Sequence, residues 1–419
     1  MSNVVTLLLA AAALVAGLVF PPLSSYTAVY VVMGAMLIAA VLLRARLRDI
    51  ARHPAYLAVA AAIVLLSLTL PFVWQGPDDL LVLGAIAPLP LGIGLVALFE
   101  AEPRFASPVL IGGLSLIGAF GAVLAGLNDI FVFGLDRAGS GNNPIHYADL
   151  SVALGLFAMI GVFGSKSRWR MIFLLGPLFA LLAVLLSGSR GALLAYFATM
   201  APLTGLLVVW FRREWLLGLS ILAAGLVSVL LVTSMVFMPS LSNRAVDAFR
   251  DFGTAVFAFA ENTGESAALS AEIDGSTDER LTLLRGAVAV FVEHPVFGVG
   301  AGQMISAARE HFPERHKQLG NHLHSDIGNF AASAGLFGLA GYFALLLAPF
   351  LRPSGNYGTD TRRVLLLGAM ALSGSYFTLG LTNAVLGVLP QTGLHATLLA
   401  CLVGIGRVWR ADFTPTEPR

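Results

Sequence analysis

RMIFLLGPLFALLAVLLSGSRGALLAYFATMAPLTGLLVVWFRR, residues 170–213, decides the fold. Two apolar runs lie between Arg170 on one side and Arg212 and Arg213 on the other, with only SGSRG at 187–191 separating them. Each run has the length, roughly 17–25 residues, that crosses a ~30 Å hydrocarbon core as helix. The runs are continuous rather than alternating, which disfavours a transmembrane β-barrel. The same grain runs through all 419 residues, which are 57% hydrophobic and 12% charged. A soluble domain carries about 25% charged residues, so this chain lacks the charge to coat a water-facing surface. The composition therefore defines an all-α polytopic membrane protein.

Twelve spans are expected, at roughly 4–20, 27–43, 55–74, 80–99, 107–127, 148–164, 169–187, 190–211, 215–238, 326–351, 363–387 and 392–408. They divide the chain into a first membrane domain, 1–238, a long loop, 239–325, and a second membrane domain with its tail, 326–419. Of the 25 Lys and Arg residues, 16 fall on alternate connections, whereas the short connections opposite hold only Arg137 and Arg190. The positive-inside rule then places both termini in the cytoplasm and the 239–325 loop outside. The five tryptophans (Trp74, Trp169, Trp210, Trp215 and Trp409) fall near span ends, as an interfacial aromatic belt requires. Seven of the eight histidines, all but His53, fall on the outer side or at its boundary. The single cysteine, Cys401, excludes an intramolecular disulfide framework and a multi-cysteine metal site. No soluble basic patch points to nucleic acid, because topology accounts for the inner arginines.

Three outer segments are polar enough for chemistry: the turn-rich loop 128–149, SGSRG, and the long loop. Within the last, residues 243–260 read as an amphipathic helix lying along the membrane surface. The stretch from Asp278 reads as a helix that stops before Pro295, followed by a glycine-rich turn. GVGAG at 298–302 follows no strand and carries no weight as a nucleotide site. Arg190, wedged between two spans, costs several kcal/mol unless it faces a polar cavity or a partner, or snorkels to the interface. Its small Ser and Gly neighbours leave room for an anion, which a guanidinium fork fits well. Arg280 and Arg285 read either as solvated helix charge near Asp278 and Glu279 or as further anion contacts. The stretch His322-Leu323-His324-Ser325-Asp326 admits three readings. It is a metal site drawing on scattered histidines, a helix cap through Ser325 or Asp326, or a general base.

On these residues the chain resembles the O-antigen ligase and polymerase superfamily of bacterial inner-membrane glycosyltransferases. The ligase signature of His, then Asn, Ser or Gln, nine residues and Gly-x-x-Gly is matched by His324-Ser325, DIGNFAASA and Gly335-Leu336-Phe337-Gly338. The superfamily's Ser-x-Ser-Arg-Gly run is matched by Ser187 to Gly191. Its arginine ahead of a Pro-x-x-Gly-x-Gly turn is matched by Arg280, fifteen positions before Pro295. Position 325 is Ser where Asn is commonest, and Leu284 stands where Trp is frequent. The resemblance implies a GT-C-like helical bundle with one long periplasmic loop. It also implies transfer of a glycan from undecaprenyl diphosphate to an acceptor hydroxyl on lipid A–core or on another glycan. Arg190 and Arg280 would hold the diphosphate, and His324 would serve as general base. His322, Ser325 and Asp326 would help position substrate. Neither metal nor cofactor is implied. The His-Ser form of the signature favours ligation; polymerisation of a carrier-linked glycan is the alternative, with a glycan flippase further off.

Overall fold

The computed structural model describes residues 3–164, 167–210, 275–312, 322–353 and 356–410. The expected span 215–238 and the expected surface helix 243–260 lie outside them. Helices α1 (Asn3–Leu18), α2 (Ser25–Leu42), α3 (Arg44–Ala51) and α4 (Pro54–Val73) open the chain. Next come α5 (Leu81–Ile86), α6 (Pro88–Ala101), α7 (Pro108–Phe131), α8 (Pro144–Phe157), α9 (Leu175–Ser187) and α10 (Arg190–Trp210). After the long loop's first part follow α11 (Gly275–Glu293), α12 (Met304–Glu310), α13 (Asp326–Leu347), α14 (Thr359–Gly380) and α15 (Leu389–Val408). Ten of the described helical segments are long and apolar enough to cross a membrane, and α1 is a shorter apolar helix. The protein is an all-α, multi-pass membrane protein. Each expected span within the described residues meets a helix. The span expected at 80–99 is built from a short 3-10 turn and the stacked helices α5 and α6.

The outward surface is apolar: Phe72, Val41 and Val209 are exposed, as lipid-facing side chains are. Two segments are almost entirely enclosed, Pro144–Phe163, which contains α8, and α15. α15 packs on α6 and α2, while α8 packs on α9, α7 and α14. Small residues permit this closeness. Gly155 of α8 and Gly176 of α9 face each other, so a Cβ on either would collide with the other's backbone carbonyl. His395, in the second turn of α15, is fully buried and lies edge-on to Tyr376 at 4.6 Å.

The connections rich in arginine meet at one end of the bundle. Arg407 pairs with Glu100 at 2.5 Å and with Asp49, and Arg46 approaches Glu100 at 3.9 Å. Trp409 Nε1 donates to the Ala106 carbonyl, and Thr6 donates to Glu102. The first and last described helices therefore begin and end on this same basic face.

At the opposite end, α13 explains the Gly-x-x-Gly signature. Gly335 takes φ 59°, ψ −140° inside the helix, a conformation essentially reserved for glycine. The break exchanges hydrogen-bond partners. The Leu336 N–H turns to the Pro295 carbonyl at 2.8 Å, while the Ala332 and Ser333 carbonyls accept the Val299 and Gly300 N–H groups at 2.9 Å. The PVFGVG turn is thereby sewn into α13 and, through Gly302 N–H to Asp79 Oδ1 at 2.9 Å, to the residues before α5. A Cβ at Gly335 would sit 2.5 Å from the Val296 carbonyl, and one at Gly338 would strike the Phe330 carbonyl. Gly335→Ala is expected to lose about 1–3 kcal/mol from the dihedral alone, with the clash added. A lowered unfolding midpoint in detergent, with the 295–303 backbone opened to hydrogen exchange, is the expected result; unchanged protection there would contradict it.

Candidate functional site

The ends of six helices, α8 to α11, α13 and α14, and the loops before α8 and after α14 converge at the face opposite the arginine-rich end. SGSRG is the turn from α9 to α10. Gly188 adopts the left-handed region (φ 63°) that ends α9, and the Ser187 hydroxyl accepts the Ser189 N–H at 3.1 Å. Arg190 is then the first residue of α10. The loop before α8 docks on this turn, with Arg137 Nε donating to the Ser187 carbonyl at 2.7 Å and Ala138 N–H to Leu186. Asn143, of the NPI run, caps α8 by accepting the Ile145 N–H.

Arg280 projects from α11 onto this corner. Its Nη1 lies 3.3 Å from where a Cβ on Gly191 would sit, and the Thr382 hydroxyl is 2.6 Å from the same point. Glycine at 191 leaves room for Thr382 and the Arg280 guanidinium against the N-terminal turn of α10. Arg280 thus lies against the residue that follows Arg190, ninety positions earlier in sequence.

His324 stands at the entry to α13 with φ 49°, one of two non-glycine residues with positive φ among those described. A non-glycine residue in that region is uncommon, and such strain collects at functional sites. Its neighbours hold it there. The His324 N–H donates to His322 Nδ1 at 3.2 Å, and the two rings lie 4.1 Å apart. Ser325 caps α13, its hydroxyl accepting the Gly328 N–H and donating to the Gly380 carbonyl at 3.2 Å. Leu323 N–H donates to Asn329 Oδ1. Burial lowers the basicity of His324 to a pKa of about 4, and the charges of His322, Arg280 and His146 push the same way; the Asn383 side chain opposes them. The imidazole is accordingly neutral near pH 7, with a lone pair available. Its Nδ1 is buried and has no hydrogen-bond partner among the described residues. Burial also lowers the basicity of His322.

Asp326 does not turn to the imidazole. Fully buried, it accepts the Val385 N–H at 2.8 Å and the Leu386 N–H at 2.9 Å, one on each oxygen. The expected span 363–387 is corrected here: α14 stops at Gly380, the Thr382 and Asn383 N–H groups close a last turn onto the Leu379 carbonyl, and the Val385 and Leu386 amides beyond it go to the carboxylate. The released loop carries Thr382 and Asn383 into the site. Asn383 Nδ2 donates to Asp149 Oδ2 at 2.8 Å, both side chains being buried. Sequence reading missed Asp149 and Asn383; the available signal was a lone carboxylate and a lone amide, each inside an otherwise apolar run.

Among the described residues no group of three or more His, Cys, Asp or Glu side chains is arranged to hold a metal ion. The arrangement is a cationic corner beside a neutral imidazole, at the rim of a membrane bundle, and it suits handling of an anionic, lipid-borne substrate. Residues 175–343 match the family model described as O-antigen ligase, a segment that runs from the start of α9 through the Gly-x-x-Gly of α13. That match supports a place in the O-antigen ligase-like superfamily, whose members are glycosyltransferase-like membrane enzymes. No curated protein matches it in sequence.

Proposed function

We propose that this protein transfers a glycan from undecaprenyl diphosphate to a hydroxyl of lipid A–core, on the periplasmic side of a bacterial inner membrane with both termini cytoplasmic. The observation carrying this reading is the meeting of Arg280, the N-terminus of α10 with Arg190, and His324 at the face opposite the arginine-rich end. Arg190 and Arg280 hold the diphosphate, with the first-turn N–H groups of α10 adding positive potential. As the anomeric bond to the diphosphate breaks, negative charge grows on the leaving oxygen and the guanidiniums offset it. His324 takes the proton from the acceptor hydroxyl as that oxygen attacks the anomeric carbon, so the configuration there inverts. His322 positions substrate beside it, while Ser325 and Asp326 hold the framework. The membrane supplies donor and acceptor laterally, and the diphosphate linkage supplies the driving force. Two guanidiniums take the electrostatic part that a divalent cation plays in other phosphate chemistry.

The deciding assay uses protein reconstituted in liposomes with a carrier-linked glycan donor, offering lipid A–core and a second carrier-linked glycan as competing acceptors. Sugar appearing on lipid A–core supports ligation; sugar appearing only on the carrier-linked glycan makes the protein a polymerase. EDTA is expected to leave the rate unchanged, and activity lost to EDTA and restored by Mg²⁺ or Zn²⁺ would contradict the metal-independent mechanism.

A further inference from the structure

The buried pair Asp149 and Asn383 has no part in the chemistry above, yet Asn383 rides on a loop bonded to Ser325 and Asp326, next to His324. Asp149 comes from α8, one of the two most enclosed helices, and is 2% exposed; Asn383 comes from the loop after α14 and is 4% exposed. That loop is fixed at several points. Asp326 clamps Val385 and Leu386, the Asn383 N–H donates to the Leu379 carbonyl, and Ser325, adjoining His324, donates to Gly380. These bonds to Ser325 and Asp326, the two residues after His324, bring the loop bearing Asn383 beside the His324 turn, and the Asn383 side chain makes the imidazole more basic.

We propose that Asp149 and Asn383 are positioning residues for His324, the carboxylate pinning the amide so that its carbonyl oxygen holds one imidazole N–H. The proposal rests on the reading of His324 as general base. The chemistry follows from donor and acceptor inventory. A carboxylate accepts only, so the Asn383 NH₂ must face Asp149 and its oxygen must face away. The imidazole nitrogen nearest that oxygen then carries the hydrogen, and the other keeps its lone pair for the acceptor hydroxyl. When that lone pair takes the proton, the amide oxygen stabilises the resulting imidazolium. The groups acting on the ring are His322 from its own loop, Arg280 from α11, His146 from α8 and Asn383 with Asp149 behind it.

The test is steady-state transfer by the full-length protein in liposomes, against pH. Asn383→Ala is expected to lower kcat roughly tenfold to a hundredfold, less than the ~10²–10⁴ that a general base supplies. Donor KM should stay within about twofold, because the loss falls on the transition state. The acid limb of kcat should move to lower pH, since the group favouring imidazolium is gone. Asp149→Asn is expected to lose activity similarly. The double swap Asp149→Asn/Asn383→Asp reverses donor and acceptor, so it should exceed either single variant, with its acid limb above wild type. A merely structural pair would recover without that displacement. If Asn383→Ala does not fold, Asn383→Ser replaces it. Unchanged kcat and acid limb in the Asn383 variant, or a folded double swap no better than the singles, would overturn the proposal. Wild-type turnover by His324→Ala would instead sink the general-base reading itself, so the two failures are separable.

Discussion

Replacing Arg280 by alanine is expected to slow glycan transfer by roughly 10²–10³-fold, the loss seen when one preorganised donor to a developing anion is removed. Arg190→Ala should fall in the same range. The guanidinium of Arg280 packs against Gly191, where a Cβ would crowd it, so its contribution is geometric as well as electrostatic. A diphosphate is charged before the reaction and more concentrated in charge at the leaving oxygen during it. Both KM for the donor and kcat should therefore suffer. Arg280→Lys keeps the charge and loses the planar fork, so it should recover only part of the rate. Donor titration in detergent micelles, read alongside turnover, checks this; wild-type turnover by the alanine variants would remove the diphosphate site.

His324→Ala should be more damaging still for chemistry, by roughly 10²–10⁴-fold, with donor binding retained. The pH dependence carries a second expectation. In the free protein the ring is held at a pKa of about 4, so it stays unprotonated until pH falls well below the ordinary histidine range of about 6.5. The acid limb of kcat/KM should lie correspondingly low. A bound diphosphate adds negative charge beside the ring, which favours the imidazolium and raises its pKa. The acid limb of kcat should therefore lie at higher pH than that of kcat/KM. Coincident limbs would mean that the imidazole and the diphosphate do not share a site.

Much of the architecture was legible because a membrane imposes a minimum apolar length, and the runs of this chain meet it one after another. The gathering of arginines at one end was legible for a similar reason: Arg46, Arg104 and Arg407 fall on alternate connections, and Arg46 and Arg407 meet Glu100 there. Arg190, Arg280 and His324 stood out because charge and imidazole are costly in such a sequence. What stayed hidden was the partner of each polar group. Nothing in residues 363–387 announces that the helix ends at Gly380 and that a carboxylate some sixty positions earlier takes the Val385 and Leu386 amides beyond it. Hydropathy carries that stretch straight through. The Gly335-x-x-Gly338 spacing was visible as a pattern, but its cause, a helix opened to admit the 295–300 turn, is a long-range hydrogen-bond exchange with no local trace.

The enclosure of α8 and α15 bears on how the protein tolerates different lipids. Acyl chains press on the peripheral helices, whose tilt answers to hydrocarbon thickness. The central pair touches almost no lipid, and Asp149 is anchored to it. Bilayers of different chain length can thus rock the outer ring about a hub that keeps its own register, so turnover should vary little with thickness until the outer helices separate from the hub.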